Sequence, residues 1–365
     1  MGIAITEVLF AHLFNWLHFP SAFVILSSKM VFTQGFLLLS GIGLYYSYVK
    51  KSDTVGFYCR RIKRMWLPYM LMALPFVLIF MFLRDDITII KAIGWITSIG
   101  YFFPGEAQYC NMWYIAVSLL CYALFPLMFH FIFFSKNGIW FRYALLIIVS
   151  ISITIAVYLY MPTYYHLVSI GLPKQTMFIV GIGIGYLCYR KMKVNLMVLI
   201  VTTLSLYLLF YSLRHSNVLY AQYASMTEKL FTIPIICLVL FKIKPYVSYL
   251  FNCLQWMGKY TLEIYVLHLM IKHLLFLLDV NGILMIFVSI ISSIILAPYV
   301  NRITNNLHSD NATLRYAYIN IELIYNNFLS INHEKIDKEH FLIGGICPML
   351  ISHRIIHVNK CKWGG

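Results

Sequence analysis

The residues best suited to chemistry are ionisable ones set inside apolar runs. His12 sits in "MGIAITEVLFAHLFNW", with Glu7 in the same run. Imidazole is basic near neutral pH, which fits acid–base or nucleophilic work. An ionisable side chain at membrane depth is costly and therefore a functional candidate. A structural histidine, satisfied by a neighbouring helix, fits the sequence equally well. Glu263 and His268 lie in "MGKYTLEIYVLH" (257–268), with Lys272 one turn further on. There the glutamate is expected to pair with a basic group on another helix. Arg60, Arg61 and Arg64 cluster in "FYCRRIKRMWLPY", where guanidinium forks match phosphate oxygens. Basic residues beside an apolar run also set orientation in a membrane, and that reading competes. Ser40 and Gly41 interrupt an apolar helix, as a close helix crossing or a ligand path requires. Trp113 and Tyr114 open a later run as an interfacial belt would. In the C-terminal stretch, which also holds Cys347, the residues His353, His357 and Cys361 fall at i, i+4 and i+8, a spacing that one helix face could offer to zinc. Chance explains that spacing better, so no metal is expected.

Long apolar elements must position these side chains. The chain has 365 residues, 61% of them hydrophobic and only 11% charged. Soluble chains carry roughly a quarter charged residues, so a polytopic all-α membrane protein is expected. A span needs about 20 apolar residues. Ten candidates follow: 2–19, 31–49, 65–83, 112–134, 143–161, 175–189, 194–213, 230–242, 260–278 and 283–300. The apolar stretch 87–103 contains Lys91 and Trp95 and is expected to be interfacial or re-entrant. The net charge of +15 falls mostly in the loops after the even-numbered spans, from Lys50 to Arg64, at Arg190–Lys193 and at Lys242–Lys259. That asymmetry fits a positive-inside arrangement with both ends cytoplasmic, and it argues against nucleic-acid binding. Residues 303–365 are polar and mixed, and are expected to form a cytoplasmic tail or to result from a reading-frame slip.

On the motifs taken together, the chain resembles the acyltransferase-3 family of integral membrane acyltransferases. The matching positions are His12, Ser40–Gly41, Tyr58/Arg60/Arg61/Arg64/Pro68, Trp113–Tyr114 and Gly258/Thr261/Ile264/Tyr265/His268, with Lys174 where the family has arginine. The resemblance covers about 1–302. It implies acyl transfer from cytoplasmic acyl-CoA, usually acetyl-CoA, to a hydroxyl of a surface saccharide or its lipid-linked precursor. It places the enzyme in a bacterial inner membrane, with His12 catalytic and Arg60, Arg61 and Arg64 at the donor. His12 would act either as a base or as a transient acyl carrier. The family's first-helix arginine falls at Met1, which suggests a true start further upstream. Position 1 and His12 lie eleven residues apart, about 16–17 Å on one helix face. The competing function is a non-enzymatic flippase for a lipid-linked sugar, for which inverted repeats would be expected; none is visible.

Overall fold

The computed structural model describes residues 1–16, 33–103, 112–193 and 195–309. All regular structure among them is helical. Each of the ten expected spans corresponds to a helix. The first four are α1 (Gly2–Trp16), α2 (Thr33–Lys50), α4 (Leu67–Leu83) and α6 (Trp113–Phe133). Then come α7 (Ile139–Tyr160), α9 (Gln175–Tyr189), α10 (Leu196–Leu213) and α11 (Val218–Ile243). The last two are α13 (Thr261–Leu277) and α14 (Gly282–Ser309). Shorter helices lie between them: α3 (Thr54–Arg61), α5 (Ile89–Thr97), α8 (Pro162–Val168) and α12 (Ser248–Lys259). Among the described residues, five helices are long and apolar enough to cross a membrane, and two bent pairs bring the number to as many as seven. The first pair is α8 with α9, bent by 67°, and the second is α12 with α13, bent by 73°. Large apolar side chains such as Phe82, Phe134 and Phe241 stand exposed on the outside, where hydrocarbon rather than water suits them.

Two boundaries differ from expectation. The span expected at 230–242 begins at Val218, so Glu228 and Lys229 lie inside a helix instead of a loop, and Lys229 is buried. Hydropathy truncated this helix because its first half mixes polar and apolar residues. The last helix runs through Ser309, beyond the expected end at 300. The rest of the 303–365 stretch, with Cys347, His353, His357 and Cys361, lies outside the described residues.

The stretch 87–103 folds back along α4. Tyr69 donates to the Trp95 carbonyl (2.6 Å) and the Trp66 indole donates to the Thr97 carbonyl (3.4 Å), so α5 returns antiparallel to the level of Trp66. Ser98 then turns the chain with φ +64°. A 3-10 turn at Ile99–Phe102 leads away, held by Tyr101 on the Val168 carbonyl and Tyr164 on the Phe102 carbonyl. The stretch thus packs back on α4 as a helical hairpin. In the loop before it, Arg84 makes two 2.8 Å bonds to Asp86 and holds that carboxyl below its usual pKa.

Helices α2 and α9 run parallel and cross at close range. A side chain at Gly41 would strike the Phe178 carbonyl, and one at Gly181 the Leu38 carbonyl. Gly41 is therefore a packing residue. Around this crossing Tyr48, Phe57, Phe125 and Phe178 are fully buried.

Candidate functional site

The basic stretch that follows α2 is locally ordered by Asp53, which caps α3 by accepting from the Gly56 amide at 3.0 Å. After Arg61 the helix widens into a π-turn, Ile62–Trp66, closed by the Leu67 amide on the Ile62 carbonyl, before α4 continues. Single π-turns are uncommon and recur at functional sites. This one sorts the three arginines. Arg61 and Arg64 line a cavity of about 430 Å³, whereas Arg60 lies against Gly56 near the cap.

The cavity also gathers Ser40, Lys259, Glu263 and Asn301, and Met1 closes its floor at the start of α1. Gly258 lets the end of α12 come against the backbone of Gly2, which brings Lys259 beside Met1. Glu263 is buried and accepts from the Asn301 amide at 2.7 Å, a neutral partner in place of the basic one expected. Tyr122, on the opposite wall, donates to the Ser40 hydroxyl at 3.4 Å. Its ring and that of Phe57 lie 5.9 and 5.6 Å from the Arg61 guanidinium carbon. The site thus holds three cations and one carboxyl in a partly apolar recess, a composition suited to a multiply charged anion.

His12 and His268 do not line this cavity. They meet each other deeper in the protein, with ring centroids 5.3 Å apart. His268 is completely buried, and its Nδ1 lies 2.9 Å from the Ile264 carbonyl. A carbonyl only accepts, so Nδ1 carries the hydrogen and Nε2 is the basic nitrogen of the neutral ring. Lys272 is close enough to act electrostatically on both rings. Contacting aromatic rings join the two places. Tyr114 lines the cavity and lies 5.5 Å from Tyr265, which in turn lies 5.8 Å from His268. Along α13, His268 is five residues, about 7–8 Å, beyond Glu263.

Lys174 and Trp113 come together elsewhere. The Lys174 ammonium sits 4.1 Å above the indole, a cation–π contact. Neither residue lines the cavity. Trp113→Leu and Lys174→Gln should each cost about 0.5–2 kcal/mol of stability, and the double variant no more than the larger single. Thermal unfolding in detergent checks this, and strict additivity would show that the pair is not coupled.

Sequence reasoning missed Tyr122, Lys259 and Asn301. Lys259 reads as a loop charge, Asn301 as the end of a span, and Tyr122 as one aromatic among many in α6. Only their meeting around Ser40 and Glu263 reveals them.

A family model described as an acyltransferase domain matches residues 2–302, which spans every residue of the cavity but Met1, together with both histidines. No significant match was found among curated proteins or solved structures. Apolar helices that carry ionisable groups at a shared recess, joined by aromatic contacts to a histidine pair, accord with that match: the chain belongs to the acyltransferase-3 family and is an integral membrane acyltransferase.

Proposed function

We propose that this enzyme moves an acyl group, in the first instance acetyl, from cytoplasmic acyl-CoA to a hydroxyl of a cell-surface polysaccharide or its lipid-linked precursor, in the bacterial inner membrane. The observation that carries the proposal is the pairing of the two places described above. A recess with Arg61, Arg64 and Lys259 suits the phosphates of the donor, and a histidine pair lies deeper on helices that start at that recess. In this reading the five long helices, the two bent pairs, α1, α2 and α10 are taken as ten crossings, an even number that would leave both ends cytoplasmic. The same orientation puts the basic residues of the π-turn at the cytoplasmic face.

In this reading the phosphates of CoA rest on Arg61 and Arg64, and the pantetheine arm follows α1 towards His12. His12 takes the proton of the acceptor hydroxyl as its oxygen attacks the thioester carbon. The carbon–sulfur bond breaks, and the CoA sulfur leaves with the proton that His12 held. His268, anchored through Nδ1 on Ile264, orients the His12 ring. A His12 adduct bearing the acyl group, trapped by acid quench and seen by mass spectrometry, would replace base catalysis with covalent carriage.

The donor half is tested by Arg61→Gln combined with Arg64→Gln. A hydrogen bond to a charged group contributes about 1.5–3 kcal/mol, so the pair should raise the KM for acetyl-CoA at least 10–100-fold with a smaller change in kcat. An unchanged KM, with orientation in the membrane altered instead, would mean that these arginines set topology only.

A further inference from the structure

A second cavity, of about 500 Å³, lies behind the first and shares Arg61 and Tyr122 with it as a common wall. It is enclosed by the π-turn, the tip of the α4–α5 hairpin and α6. Its lining is apolar, with Ile62, Trp66, Phe102, Ala116, Leu119 and Leu120. Its rim carries Ile99 and Ala123, both exposed, so it opens sideways onto the apolar outer surface of the protein. Of its polar lining residues, Tyr58, Thr97 and Tyr122 already hydrogen-bond to the protein, and two others remain. One is Arg61. The other is Ser98, 2% exposed and in the left-handed conformation, whose buried hydroxyl has no hydrogen-bond partner among the described residues. A buried hydroxyl without a partner is unfavourable by about 1–3 kcal/mol. A left-handed non-glycine residue adds strain, a combination that marks functional positions.

We propose that this groove binds an anionic phospholipid of the surrounding bilayer, with one acyl chain along Trp66 and Phe102 and the phosphate between Arg61 and Ser98. The apolar lining suits hydrocarbon, the cation suits the phosphate, and the hydroxyl gains an acceptor. The sideways mouth admits a molecule from the membrane, whereas a saccharide or a peptide would leave the lining unsatisfied. A polyprenyl-linked acceptor fits less well. Its phosphate would lie at the face where transfer occurs, and Arg61 belongs to the basic end, which the proposed function assigns to the cytoplasm. The choice between these two lipids rests on that assignment, but the measurement does not depend on acyl transfer.

Trp66 is a built-in reporter. The full chain is placed in phosphatidylcholine bilayers, and its fluorescence is followed as brominated phosphatidylglycerol or brominated phosphatidylcholine is added. The Trp66 contribution is taken as the difference from Trp66→Phe. The expected result is that the anionic lipid quenches Trp66 at several-fold lower mole fraction than the zwitterionic one. Arg61→Gln with Ser98→Ala should merge the two curves, and Arg61→Lys should keep them apart, which separates loss of charge from loss of fold. Equal quenching by both lipids in the unaltered protein would leave ordinary annular contact and overturn the proposal. So would a preference that survives Arg61→Gln with Ser98→Ala. Displacement of the brominated phosphatidylglycerol by a polyprenyl phosphate at lower mole fraction would assign the groove to the acceptor and equally overturn it.

Discussion

His12→Ala should lower acyl transfer by about 10²–10⁴-fold while leaving donor binding intact, the range over which a positioned acid or base usually contributes. The expected readout in cells is loss of polysaccharide acetylation by NMR at matched protein level. In detergent or nanodiscs it is a fall in kcat with KM for acetyl-CoA little changed. The donor recess and the histidine pair are separate places, so an effect on binding is not expected from His12. Equal acetylation in variant and wild type would remove His12 from the chemistry. His268→Ala should show a smaller fall, and His268→Gln should restore part of it. The amide can still donate to the Ile264 carbonyl and present a second polar atom to His12, so the partial rescue distinguishes orientation from proton transfer.

Gly41→Leu should have the largest effect on the fold. The added side chain would meet the Phe178 carbonyl and the backbone at Gly181 and Ile182, none of which can rotate away. Overpacking of this kind costs about 1–3 kcal/mol, occasionally more, and here the obstacle is backbone on both sides. Cys121 provides the measurement, because its buried thiol becomes open to a thiol-reactive dye when the bundle loosens. Its labelling midpoint should fall clearly in Gly41→Leu and hardly at all in Gly43→Leu. Gly43 lines the cavity and has open space where a side chain would begin. If both variants melt alike, the α2–α9 crossing is not the constraint described.

The spans were legible because membrane depth requires apolar length, and hydropathy measures that directly. The limits of the method are visible in α11, where Glu228 and Lys229 dilute the first half of one continuous helix. They recur in α12, a short amphipathic helix that no hydropathy window selects, although it brings Gly258 and Lys259 to the start of α1. The candidate site was legible in its residue types and not in its grouping. Ser40, the Arg61–Arg64 pair and Glu263 meet because three separate helices converge, and spacing along the chain carries no record of that. The contact between His12 and His268 is of the same kind, two residues far apart in sequence joined only by packing. Arg60 shows the converse. By type and position it looks equivalent to Arg61, and only the helix geometry separates them.

The π-turn at Ile62–Trp66 carries a consequence for how such a site can change over time. A π-turn is an α-helix with one residue too many, accommodated locally. Removal of one residue from this stretch would restore unbroken α-helical bonding and leave α3 and α4 in their present phase. A one-residue deletion here would thus change the turn that carries Arg64 without turning α3 or its Asp53 cap, a change that no substitution makes.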